Sequence, residues 1–356
     1  MMLLTTFLTG TVHAEDNAAG LPAPEPYVLL HTWATVWDTD EDHTADPAGY
    51  GDPEDDIGFK IRRARIGMSG KNDQWQYAVI VGTSAPYDAL YSSNEGSIDI
   101  VDANIGYRVR EGLWVTGGMQ KAPISREALM SSQRLPLGER VVASEWLVPS
   151  RDAGVLAEYR GGSDTMQARV SVGAFNGNGS LETDDNVGKL FAGRGELIFG
   201  EANPYRTFGA VDGTTFAIAV DGWRNDDIAT DTTGFGADMM LRVSGLSVMA
   251  EGRMASLGPD NTDVEQPGVL SETRRLGGLG QVSYTINRVE PAVRFSMYDD
   301  DMDAEDNGDV AEVMAGTTWN SKGANMRLGG GYVYRMELGG ATVSNDTVRL
   351  WWLMRI

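Results

Sequence analysis

Residues 101–110 read VDANIGYRVR and alternate without a break. Val101, Ala103, Ile105, Tyr107 and Val109 fall on one face, opposite Asp102, Asn104, Gly106, Arg108 and Arg110. A pleated strand sends successive side chains to opposite sides of its sheet, so this stretch predicts a strand with one apolar and one polar face. Residues 166–174 repeat the design, with Ala168, Val170, Val172 and Ala174 opposite Gln167, Arg169, Ser171 and Gly173. Residues 289–298 do so again, with Val289, Pro291, Val293, Phe295 and Met297 opposite Glu290, Ala292, Arg294, Ser296 and Tyr298. From Tyr27 to the last residue the same period of two recurs between turn residues, which signals a sandwich or a barrel. It predicts strands at 27–38, 57–70, 74–85, 98–109, 113–121, 153–160, 166–175, 188–199, 214–224, 232–243, 246–257, 274–286, 289–298, 310–319, 324–336 and 346–356. Most approach the ten or so residues that a tilted strand needs to cross a bilayer.

The connections separate the two architectures. Long ones at 39–56, 86–97, 122–152, 176–187, 225–231, 258–273, 299–309 and 337–345 alternate with short ones near 71–73, 110–112, 161–165, 244–245, 287–288 and 320–323. Long loops at one end and tight turns at the other are the layout of a bacterial outer-membrane barrel. A soluble or surface-attached sandwich used for adhesion shares the strand pattern but has no reason to alternate its loops. The expected fold is therefore all-β: a transmembrane antiparallel β-barrel of about sixteen strands with long extracellular loops. One connection breaks the series, because GEANPYRTFGAVDG (200–213) is too long for a tight turn. The last strand sets Val348, Leu350, Trp352, Met354 and Ile356 on one face and so resembles the C-terminal recognition strand read by the barrel-assembly machinery. That strand usually ends on an aromatic residue, and Ile356 departs from it.

The chain has 356 residues, no cysteine, 44 glycines and a formal charge of −22. No run of about eighteen apolar residues is present, which excludes a helical membrane span. The missing cysteine excludes disulfides, thiolate metal sites and cysteine nucleophiles. Residues 1–14, MMLLTTFLTGTVHA, read as an export signal cut after Ala14, although no Lys or Arg precedes the apolar run. Residues 15–26 form a Pro-broken periplasmic lead-in, and 27–356 a single barrel domain. After removal of the signal only His31 and His43 remain. An outer-membrane hydrolase needs a base beside a nucleophile; His43 sits in an acidic loop, and no recognisable nucleophile motif stands beside His31. No catalytic residue, cofactor or metal is assigned, and an enzyme is not expected.

Charge is divided by position. The loops 38–56, 181–185, 225–231, 260–272 and 299–309 hold 26 of the 51 acidic residues and no Lys or Arg. The remainder carries 25 acidic against 29 basic residues, of which 24 are arginine. Nucleic acid is an unfavourable partner for such an exposed acidic surface. The runs at 38–47 and 299–309 offer oxygen ligands to calcium or magnesium but lack the EF-hand spacing, and read as solvated loop tips. Arg108, Arg110, Arg169, Arg194, Arg242, Arg253, Arg294, Arg327, Arg335 and Arg349 fall on the polar faces of their strands, as do Asp102, Glu158, Glu196, Asp238, Glu251, Glu290 and Glu312. Most of these pair across neighbouring strands, and an excess of arginine is left to meet anions.

Between the strands ending near Gly118 and returning at Tyr159 lie about thirty residues of neither strand. Loops of that length are uncommon and usually functional. This one carries Arg126, Arg134, Arg140 and Arg151, with Lys121 at its base, where the other long loops are acidic. Ser125 is placed to cap a short helix through REALMSSQR. In the strand 57–70, Phe59 and Ile61 share a face with Arg63 and Arg65, while Arg62 shares one with Ala64, Ile66 and Met68. Strict alternation would turn one arginine set to lipid, at roughly 2–4 kcal/mol each at midplane. A bulge near Arg62–Arg63 would let both point inward.

Several of these segments resemble the phosphate-selective porin O and P family. Residues 59–70, FKIRRARIGMSG, are similar to its second-strand signature, and 117–127, GGMQKAPISRE, to the segment leading into its third loop. SRDAGVLAEY (150–159) resembles the return strand, and FNGNG (175–179) the exit that follows. The resemblance implies a trimeric sixteen-stranded barrel whose third loop, 122–152 here, folds into the pore, with a ladder of arginines leading anions to a narrow basic site. Carried over by motif, it places Arg62 and Arg63 on the pore wall near the constriction, Lys121 at the base of the folded loop and Ser125 where its hydroxyl can donate to an oxyanion; the loop's own charge adds Arg126, Arg134 and Arg140 as candidates for the constriction. Arg62, Arg63, Arg65, Arg108, Arg110, Arg169, Arg194, Arg242 and Arg294 would line the lumen. The implied function is a porin in the outer membrane of a Gram-negative bacterium, passing small hydrophilic solutes with preference for anions such as phosphate or polyphosphate. Its implied partners are two further copies of the chain, lipopolysaccharide, outer-membrane lipid and small anions. The acidic mouth and the scarcity of lysine depart from that pattern. They keep open a general diffusion porin that is non-selective or mildly cation-favouring.

Overall fold

In the computed structural model of the chain, residues 20–38, 57–84, 98–149, 151–179, 188–227, 230–259, 271–306, 308–342 and 344–356 are described. The expected export signal and much of the acidic loops 39–56, 181–185 and 260–272 lie outside them. Sixteen antiparallel strands close into one barrel, each bonded to its sequence neighbours and β1 to β16. They are β1 (Glu25–Asp38), β2 (Gly58–Lys71), β3 (Trp75–Ser84), β4 (Asp99–Arg110), β5 (Leu113–Lys121), β6 (Arg151–Gly162), β7 (Met166–Phe175) and β8 (Leu190–Phe199). The second half runs β9 (Val211–Asp226), β10 (Thr230–Ser244), β11 (Leu246–Pro259), β12 (Thr273–Tyr284), β13 (Val289–Asp299), β14 (Val310–Asn320), β15 (Met326–Glu337) and β16 (Thr347–Arg355). Closure leaves no unpaired sheet edge, which a span through hydrocarbon requires.

The faces are inverted relative to a soluble protein. Along β13, Val289, Pro291, Val293 and Phe295 are exposed, while Glu290, Ala292, Arg294 and Ser296 are buried. The outward apolar set meets lipid and the inward polar set meets a filled interior. β16 repeats this with Leu350 and Trp352 outside and Arg349, Trp351 and Leu353 inside.

β2 contains the expected bulge. His31 of β1 pairs with Arg63 and Thr32 with Ile61, so Arg62 has no opposite residue. Before the bulge Phe59 and Ile61 face out; after it Ile66 and Met68 do. Arg62 and Arg63 both end up buried inside the barrel. A second bulge, at Val101, turns that residue inward, against the face it shares with Ile105 in simple alternation.

The loop pattern holds with one correction. The β9–β10 connection is 227–229 rather than 225–231, because the two strands continue pairing through Asn225–Thr232 and Asp226–Asp231. The long β8–β9 connection, 200–210, stands at the end that otherwise carries tight turns.

Candidate channel constriction

The segment between β5 and β6 lies inside the barrel. It contains a one-turn helix α1 (Arg126–Leu129), a 3₁₀ turn at 132–134 and a second short helix α2 (Val142–Trp146). Ala122, Ile124, Met130, Leu135, Val141, Val142 and Leu147 are buried against inward residues of β7–β13, among them Phe175, Trp223, Met240, Met249 and Tyr298. Leu137 packs against Trp33, Ala292, Met314, Val333 and Trp351. Small inward residues make room for this layer: a Cβ on Gly277 would lie 2.7 Å from the Ala143 methyl. Burial of these side chains stabilises the docked segment at about 25 cal/mol per Å² of apolar area.

Polar anchors fix its position. Ser125 caps α1, its Oγ accepting from Ala128 N at 3.0 Å and donating to Glu251 at 2.7 Å. Its backbone sits at φ 62°, a region that costs a non-glycine residue energy. Asp221 holds it there by accepting from Ser125 N at 3.0 Å. Arg126 is wholly buried, its Nη2 2.7 Å from Glu196 and 2.8 Å from Asp238. Those two carboxylates also face Arg194, which bonds Asp221 at 2.8 Å and Asp238 at 2.6 Å. On the other flank Glu139 accepts from Arg62 Nε at 2.9 Å and from Arg63 Nη1 and Nη2 at 2.6 and 2.7 Å. Burial pushes the Glu139 carboxyl up, but the guanidinium groups of Arg62 and Arg63 outweigh it and hold it well below the usual range. Glu127 shows the opposite balance: burial raises it against the pull of Arg294.

These contacts sort the expected site residues. Lys121 and Arg140 come together with Arg65 and Arg151, close enough to repel one another. Lys121 donates to the carbonyls of Ala128 and Met130, and Arg140 to those of Glu127 and Met130. Ser125 and Arg126 stand apart from them, sealed under the segment. Ser125 and Arg126, expected to offer a hydroxyl and a charge to a passing anion, are instead buried against the wall carboxylates Glu251, Glu196 and Asp238. Arg134 is exposed and lies toward the tight-turn end, near Arg206 and Arg355.

Of the lumen set, Arg62, Arg63, Arg194 and Arg294 are buried in ion pairs, Arg294 with Glu312 at 3.1 Å. Arg242 binds the carbonyls of the β8–β9 connection. Arg169 pairs with Glu158. Arg108 reaches the Asp73 carbonyl at 3.4 Å and Arg110 is exposed, so both belong to the tight-turn rim. The expected excess of available arginine thus narrows to the wall that the segment leaves uncovered. There Arg65, Asp102, Asn104, Arg151 and Arg169 remain partly open, whereas most inward charged residues of β8–β13 are buried. A count of cations alone overlooked Glu127 and Glu139, the two acids that dock the segment.

Residues 40–213 match the family model described as phosphate-selective porin O and P. The chain is an outer-membrane porin, and residues 40–213 carry its likeness to that family. It is a channel protein and not an enzyme, and its place is the outer membrane of a Gram-negative bacterium. Solved porins share the fold of this one at low identity. An anion-selective porin from Comamonas acidovorans superposes with a TM-score of 0.58 at 10% identity, over 94% of this porin and 99% of its own chain. OmpT of Vibrio cholerae, in its trimer form, gives 0.57 at 13%, over 95% and 100%. The outer-membrane channel DcaP of Acinetobacter baumannii gives 0.56 at 15%, over 96% and 99%. No curated protein matches the sequence.

Proposed function

We propose that this porin passes small hydrophilic solutes with a preference for anions, phosphate and polyphosphate among them. The observation that carries the reading is the cationic flank formed by Arg65, Lys121, Arg140 and Arg151 beside the uncovered wall. Within it Asp102 bonds Arg151 at 3.0 Å and Glu145 lies 3.6 Å from Arg140. Lys121 has no carboxylate within salt-bridge distance among the described residues. Rings of Arg and Lys at close quarters select anions by lowering the barrier to negative charge. Arg134, Arg108 and Arg110 extend positive charge toward the tight-turn end. On this reading residues 1–14 are the export signal, 15–26 the lead-in, and the working assembly is a homotrimer set among lipopolysaccharide and outer-membrane lipid.

The second reading is a general porin of weak or mildly cationic preference. It is favoured by the carboxylates of Asp300, Asp306 and Asp309, which gather within 4.8 Å at the long-loop end. Reversal potentials of single channels in a KCl gradient decide between the two. Anion preference in the parent that falls in Lys121→Gln supports the first reading. A cation-favouring potential that Lys121→Gln leaves unchanged overturns it.

A further inference from the structure

The β8–β9 connection, GEANPYRTFGA (200–210), does not lie over the rim. Its ends belong to the tight-turn side: Gly200 N donates to Thr165 O at 2.9 Å, and Gly209 N to Thr285 Oγ1 at 3.1 Å. Two to five residues close a hairpin there, so eleven need another reason. Pro204 and Thr207 are buried, Thr207 to 1% exposure.

Backbone carbonyls carried into an interior must find donors. Arg242 supplies them, donating to the carbonyls of Asn203 (3.3 Å), Thr207 (3.2 Å), Phe208 (3.4 Å) and Gly209 (2.7 Å). Ser247 Oγ donates to Thr207 O at 2.9 Å. The connection also grips the segment that enters from the other end. Thr207 Oγ1 donates to the Arg134 carbonyl at 3.1 Å, and Arg126 Nη1 to the Pro204 carbonyl at 3.3 Å. The Tyr205 ring lies 5.0 Å from the Arg126 guanidinium and 5.4 Å from that of Arg169, while its hydroxyl donates to Glu196 at 2.9 Å. Cation–π contacts in a desolvated site add to these bonds.

We propose that the β8–β9 connection is a second re-entrant constriction element, which enters from the tight-turn end and clasps the β5–β6 segment through Tyr205 and Thr207. Together the two close the half of the lumen beneath β8–β12 from both ends, and solutes pass along β3–β6 only. Tyr205 and Thr207 are positioning residues: they touch the segment and not the solute. The inference needs ion conduction alone and stands whether or not the channel prefers anions.

Replacing 201–209 by Asn-Gly, in purified trimers recorded in planar bilayers, is the direct test. With that half no longer closed at the tight-turn end and the β5–β6 segment no longer clasped, single-channel conductance should rise, by up to about twofold if the segment withdraws as well, with added open-channel noise. Tyr205→Ala should add noise, and Tyr205→Phe, which keeps the ring between the two guanidinium groups, should restore a quieter current. A shortened barrel that migrates as folded on a heat-modifiability gel yet conducts like the parent overturns the proposal. A second measurement needs no deletion. The chain has no cysteine, so Thr207→Cys and Ala210→Cys each carry one thiol. A small thiol reagent should label the exposed Ala210→Cys promptly and the buried Thr207→Cys at least about tenfold more slowly, as local opening limits the reaction. Equal rates overturn the proposal.

Discussion

Substitution of Glu139 by glutamine removes the charge that docks the β5–β6 segment on β2 while keeping the side-chain volume. In the parent, Oε2 accepts from Arg62 and Arg63, and Oε1 from Arg63 and from Arg140 N at 2.9 Å. Three of the four donors are N–H groups of two guanidinium groups, those of Arg62 and Arg63, and charge-assisted bonds of that kind are roughly twice as strong as neutral ones. Glutamine retains one acceptor and turns an NH₂ group against donors. Removing one partner of a buried ion pair costs about 3–5 kcal/mol, since the partner left behind is a buried and uncompensated charge. Every 1.4 kcal/mol is tenfold, so the docking equilibrium shifts toward release by about a hundred- to a few thousandfold. The sixteen-strand ladder is untouched, and the barrel should still insert and migrate as folded. Trypsin sites at Arg126 and Arg140, buried and half-buried in the parent, should be cut faster by up to that factor where cleavage follows the released population. Bilayer recordings should show larger and noisier openings. Parent-like protease resistance together with parent-like current would refute the role given to Glu139.

The same pair sets an acid limit. The Glu139 carboxyl is held below its value in an open chain, about 4.3. A depressed carboxyl contributes its stabilisation fully above the unfolded value and loses it as pH falls through the folded one. Protease resistance of the segment should therefore stay flat from neutral pH to about 4.3 and fail only under stronger acid. Glu127, raised by burial, acts in the opposite sense and is not a source of acid lability. Glu139→Gln should lack the acid transition, and a transition between pH 5 and 6 in the parent would contradict this assignment.

Further outcomes follow from the two faces of the wall. Val293→Arg, on the lipid side near the middle of β13, should destabilise the folded barrel by roughly 2–4 kcal/mol in a reversible unfolding assay in lipid. Gly234→Val should disturb the interior, because a Cβ there would lie 2.1 Å from Trp223 Cζ2. Overpacking of that kind costs about 1–3 kcal/mol, and a shift in Trp emission together with lower unfolding stability would register it.

How far the sequence foretold this structure depends on the range over which each feature is encoded. Strand number and facing are local, because alternation repeats within every ten residues, and each strand appears close to where the alternation predicts it. The bulge at Arg62 was legible for the same reason: Phe59 and Ile61 on one side and Ile66 and Met68 on the other have both to reach lipid, which they do only if the phase slips between them. The docking of the β5–β6 segment is a different kind of information. Glu139 meets Arg62 and Arg63 across 77 and 76 positions, and Ser125 meets Glu251 across 126. No period or spacing marks such pairs, and an acid among basic neighbours reads as incidental until the barrel closes around it. The anomalous length of 200–213 lies between these cases. The sequence shows that it violates the rule for tight turns, but Arg242, which gives the violation a physical reason, is indistinguishable in one dimension from an arginine facing the open pore. For that reason an arginine count overstates the cations that the lumen leaves open: the wall supplies guanidinium groups first to buried carboxylates and inserted carbonyls, and what remains, Arg65 and Arg151 among it, stands at the wall that the β5–β6 segment leaves uncovered.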